Sequence, residues 1–150
     1  MTSAVIRVFV ATTLTAGLLC AATVQRSAAD TTLAAGRSVA DGVYSEAQKR
    51  RGMSAYMKEC SSCHGESFRG AESSPPLKGP DFMMHWNGRS LSELLDKMRL
   101  MPPNEPGRLS VEQAADVIAV VLSVNGFPAG SSELPATAEQ LQQIHIVDTP

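Results

Sequence analysis

The run Cys60-Ser61-Ser62-Cys63-His64 decides how the rest of this 150-residue chain is read. Two thiols separated by two residues and followed directly by an imidazole form C-x-x-C-H, the attachment pattern of c-type haem. Each part has a chemical role. The thiols of Cys60 and Cys63 add across the two vinyl groups of one porphyrin, and His64 falls beneath the iron as its proximal ligand. A bare C-x-x-C also suits a dithiol oxidoreductase or half of a zinc site. The first needs a βαβ context and the second needs two more ligands nearby, and the sequence offers neither.

Upstream of this run, Ser45 with Gln48 three residues later reads as a capping box, and Met53, Tyr56, Met57 and Cys60 recur at helical spacing. The spacing predicts a helix that delivers the motif at its end. Gly52 sits inside it, where glycine costs about 1 kcal/mol relative to alanine. A close helix crossing at Gly52, covered by Tyr56 one turn on, would account for that. Lys49, Arg50 and Arg51 read as a solvated helix face.

Downstream, residues 65–80 are rich in turn formers and predict a loop around one haem edge. Pro75-Pro76 lies at a distance suited to returning a backbone carbonyl to the His64 ring, and Pro76 is a candidate cofactor-binding residue. Phe82 and Trp86, one helical turn apart, are candidates for the pocket wall, with the Trp86 indole N–H available to a propionate. Ser90 with Glu93 caps a helix whose buried stripe is Leu91, Leu94, Leu95 and Met98, and Pro102-Pro103 requires it to stop at Met101. Ser110 with Gln113 caps a third, strongly apolar helix that ends at Asn125-Gly126. From about residue 127 an extended tail follows, with a short helix predicted from Ala138 to Ile144 and an apolar end at 144–147.

Residues 1–29 have the pattern of a secretory signal: Arg7, an apolar run from Val8 to Leu19, then small residues with cleavage after Ala22 or Ala29. The apolar run is too short and polar for a membrane span. Cys20 departs with it, leaving Cys60 and Cys63 as an even pair, and the bulky Leu18-Leu19 disfavours a lipid-anchored Cys20. Residues 30–44 read as an irregular lead-in and 45–150 as one domain. A composition 43% apolar and 19% charged is that of a globular protein. Only 5% is aromatic, so a haem would supply much of the buried apolar area. The formal net charge is −2, the chain past Leu100 has Arg108 as its one Lys or Arg, and no basic stripe suggests nucleic acid.

A six-coordinate haem needs a second axial ligand, and methionine paired with histidine raises the reduction potential. Met101 is the candidate, since the prolines after it stiffen the chain. Met98 shares the leucine stripe, Met83 and Met84 precede that helix without such restraint, and His85 and His145 are the other imidazoles.

Six runs together resemble a known family: V-Y-S-E-A-Q (43–48), R-G (51–52), C-S-S-C-H-G (60–65), P-L-K-G-P (76–80), M-P-P (101–103) and N-G-F-P-A-G (125–130). They are similar to the mono-haem class I cytochromes c, and more narrowly to the small cytochrome c partners and subunits of quinoprotein alcohol dehydrogenases. The resemblance covers the chain from about Val43. It implies an all-α fold of about three main helices with loops enclosing one haem c, the first and last helices crossing at Gly52 and Tyr56. It implies Cys60 and Cys63 as thioether sites, with His64 and Met101 as metal ligands. The expected function is single-electron carriage in the periplasm, from a dehydrogenase donor to a downstream haem protein, with redox proteins as partners, no firm membrane anchor and no catalysis of its own. The alternative is a haem enzyme or gas sensor with an open sixth site, for which His85 is the available distal group.

Overall fold

The computed structural model describes residues 36–71 and 74–147. The secretory-signal reading of residues 1–29, with Cys20 and both cleavage points, lies outside them. Helix α1 spans Glu46–Glu59 and continues, after Cys60, into the short α2 at Ser61–His64. Helix α3 is Pro80–Trp86, α4 is Leu91–Arg99, α5 is Val111–Val124 and α6 is Ala138–Leu141. The three main helices expected from periodicity are α1, α4 and α5. The described residues form an all-α fold with one minor sheet, two residues per strand.

Serine caps start each main helix. Ser90 and Ser110 make full capping boxes with Glu93 and Gln113. Ser45 accepts the Gln48 N–H at 3.1 Å, but the Gln48 side chain does not return the bond. Instead it is buried, donating to the Leu134 carbonyl at 3.0 Å and accepting the Leu134 N–H at 2.7 Å. A buried amide is stable where its polar atoms are paired, and this pairing fastens the tail to α1.

Helices α1 and α5 cross, and α4 packs on α5 beside them. At the crossing a Cβ on Gly52 would fall on the Asp116 carbonyl oxygen and 2.9 Å from Val120 Cγ2. Only glycine permits that approach. Helix α5 is the most buried of the three, with Ala114, Ala115 and the run Val117–Leu122 all inside. Arg51 is not a free solvated charge: it binds Asp116 on α5 and Glu133 in the tail, with N···O distances of 2.9 Å to each.

The lead-in has local order that its composition did not signal. Arg37–Ser38 (β1) pairs in parallel with Ile144–His145 (β2), and Ser38 caps a 3-10 turn at Val39–Asp41. Strand partners that lie at opposite ends of a chain leave no short-range pattern. The tail is knitted back as well, with the Tyr44 hydroxyl donating to the Phe127 carbonyl at 2.8 Å and the Gly130 N–H to the Tyr44 carbonyl at 2.7 Å.

Candidate functional site

Between the end of α1, helix α3, helix α4 and the loop after it lies a cavity of about 590 Å³. That volume is within the range of sites that enclose small molecules and cofactors. Cys60, Cys63 and His64 all line it. Cys60 is the C-cap of α1, its N–H donating to the Tyr56 carbonyl, and the one-turn α2 then turns Cys63 and His64 toward the same space. Both cysteines are free thiols. Burial, and then the charges of Glu59 and Cys63, push the Cys60 thiol up to about 11, so it remains a neutral thiol at ordinary pH.

His64 is held by the loop that follows it. Its Nδ1 lies 2.9 Å from the Pro75 carbonyl oxygen. A carbonyl oxygen only accepts, so Nδ1 carries the proton and Nε2 keeps the lone pair a metal needs. The accepting carbonyl is therefore that of Pro75, the first residue of the Pro75-Pro76 pair expected to supply it. Pro76 lines the cavity. The loop is shaped for this by Gly70, whose φ is +78° and whose N–H donates to the His64 carbonyl at 2.9 Å.

Two residues behind the motif were not found from sequence in these roles. The Tyr56 hydroxyl donates to the Gly65 carbonyl at 2.6 Å, and its ring stacks on Phe68 with centroids 4.0 Å apart. Burial, and then the Cys60 charge, push the phenol up to about 12. Phe68 is buried although its φ is +63°, a region L-residues rarely adopt. A left-handed phenylalanine carries no sequence signal. Asn125 is another: besides ending α5, it accepts the Gly79 N–H at 2.9 Å and donates to the Leu77 carbonyl at 2.9 Å, pinning the loop wall.

On α3, Phe82 and Trp86 are buried and line the cavity as expected, and Arg89 stacks over the indole at 5.3 Å. Met83 and Met84 are not in a free segment but within α3. Met84 is largely exposed on the cavity rim, while Met83 packs toward the core. Met98 and Met101 both line the cavity. Met98 is buried on α4, whereas Met101 is half-buried just beyond the helix end. His85 is exposed on the cavity rim. His145 sits in β2 beside Gly36, away from the cavity lining.

The residues fit a haem. Two thiols, an imidazole with its tautomer fixed, and thioethers from a second element border one largely apolar space. They do not fit the rival readings of C-x-x-C: among the described residues no cluster of three or more His, Cys, Asp or Glu is arranged to hold a metal ion. The motif also lies on helices, not beside a βαβ unit. Among the described residues no helix is long and apolar enough to cross a membrane.

A family model described as cytochrome C oxidase, cbb3-type, subunit III matches residues 47–120. That segment runs from the start of α1 through the haem motif and Met101 into α5. Neither the curated proteins nor the solved structures gave a match to the chain.

Proposed function

We propose that the chain, whose residues 47–120 match a cytochrome c family model, is a mono-haem class I cytochrome c that carries electrons on one haem c held through Cys60 and Cys63. His64 and Met101 are its axial ligands. When bound, the haem supplies a one-electron ferric/ferrous couple. The polypeptide then has to hold, orient and shield. Cys60 and Cys63 fix the group in the cavity, and the Pro75 carbonyl keeps Nε2 of His64 free to ligate. Phe82, Trp86 and Leu94 exclude water from the interior wall, which raises the strength of every electrostatic contact there. Trp86 and Pro76 contact the group without ligating it.

The observation that carries this reading is the His64–Pro75 bond beside two free thiols, with methionine sulfurs on the same cavity. It favours six-coordination over an open sixth site. His85 lines the rim, but Met98 and Met101 line the cavity too and are the better ligands for a carrier. We further propose an exported, periplasmic carrier, supported by the signal pattern of residues 1–29. Its donor is a dehydrogenase, as the resemblance to quinoprotein alcohol dehydrogenase partners suggests, and its acceptor is another haem protein. A redox titration of the haem-loaded protein, with carbon monoxide added to the reduced form, tests this. A single reversible one-electron wave and no carbon monoxide adduct are expected. Ready binding of carbon monoxide would instead support a gas-binding or enzymatic haem.

A further inference from the structure

Glu59 is the last residue of α1, directly before Cys60, and it lines the cavity with its side chain only 10% exposed. A carboxylate so far out of water needs cationic partners. Arg108 supplies one, its Nε 2.6 Å from Oε2, and Lys58 supplies another at 3.1 Å from Oε1. Arg108 also reaches Glu105 at 3.1 Å.

Arg108 stands at the far end of the loop that begins with Met101. That loop is closed on itself: the Glu105 N–H donates to the Pro102 carbonyl at 2.9 Å and the Gly107 N–H to the Arg99 carbonyl at 2.8 Å. Leu109, next to Arg108, is buried and lines the same cavity as Met101. The Glu59–Arg108 contact therefore ties the methionine loop to the helix end that presents the thiols and His64.

We propose that Glu59 and Arg108 are positioning residues forming a clasp that holds the Met101 loop closed, and with it the thioether at the iron. This rests on Met101 being the sixth ligand. A thioether is a weak ligand, so its retention depends on how rarely the loop opens. An ion pair made only in the closed form shifts that population by its own differential stability. Breaking the pair from either side should have the same effect, whichever charge is removed.

The test measures the affinity of imidazole for the ferric, haem-loaded protein, read by loss of the thioether-to-ferric-iron absorption band. Glu59→Gln and Arg108→Gln should each raise that affinity about fivefold, the scale of a partly exposed ion pair, and the double variant should do no more than either. Arg108→Lys should restore most of the wild-type value. Shifts of opposite sign in the two single variants would mean a direct charge effect on the iron and overturn the clasp. A lowered melting temperature with unchanged imidazole affinity would also overturn it, reducing the pair to a structural contact. Met101→Ala is the control: if the band survives there, the ligand assignment itself fails, and the clasp fails with it for a separately visible reason.

Discussion

Nδ1 of His64 lies 2.9 Å from the carbonyl oxygen of Pro75, eleven residues further along the chain. The approach depends on Gly70, where a Cβ would sit 2.9 Å from the Pro75 carbonyl carbon and against the Ser74 oxygen. Gly70→Ala should therefore displace the Pro75 peptide and weaken the bond to the imidazole. The bond makes the ring more basic and so favours ferric iron. The expected outcome is a higher reduction potential together with a loss of roughly 1–3 kcal/mol of stability, as overpacking costs. An unchanged potential in a destabilised variant would separate the loop's shape from the ligand's basicity.

At the helix crossing, Gly52→Val should be more severe than a surface change. Its side chain would meet the Asp116 backbone, which cannot rotate away as a side chain can. Denaturant unfolding of the holo-protein should show a loss of about 1–3 kcal/mol or more. A midpoint equal to wild type would contradict the close approach of α1 and α5.

Arg51 makes stability depend on pH. Its hydrogen bonds hold the Glu133 carboxyl below the usual carboxylate value, and the bonds it donates to Glu133 and then to Asp116 raise the guanidinium's own pKa further. A carboxyl with a depressed folded pKa stabilises the fold above its unfolded value and loses that contribution as pH falls through the folded value. Arg51→Met should thus lower the melting temperature at neutral pH, and the gap from wild type should close in acid. High salt should narrow the gap as well, because Arg51 and Glu133 are exposed. A gap that widens on acidification would contradict the assignment.

Met98 and Met101 separate by different losses. Met101→Ala should abolish the thioether-to-ferric-iron band, lower the potential and admit carbon monoxide. Met98→Ala should cost about 2–5 kcal/mol, as core truncations do, while the iron stays six-coordinate. The reverse pattern would transfer the ligand role to Met98, which borders the same cavity.

Local chemistry made much of this legible in advance. Serine caps at Ser45, Ser90 and Ser110, the Gly52 anomaly and the stop before Pro102 each act within a few residues, so they can be read from sequence alone. The same holds for the C-x-x-C-H run. What escaped acts at long range or through rare backbone. Gln48 turned from its cap to Leu134, eighty-six residues away, because a buried amide there satisfies two backbone groups at once. Arg51, read as part of a solvated helix face, is exposed there and also bridges two distant acids, which charge composition does not signal. Which carbonyl of the Pro75-Pro76 pair meets His64 is settled by the fold of the loop, and Met83 and Met84, expected to stand unrestrained ahead of the next helix, lie within α3.

The most direct measurement is the intact mass and haem absorbance of the protein, made in cells with cytochrome c maturation, after acid-organic extraction that removes non-covalent haem. One haem per chain should be retained, and Cys60→Ala combined with Cys63→Ala should retain none. A polypeptide that emerges at its haem-free mass, or a double variant that still keeps haem through extraction, would contradict covalent attachment at this site.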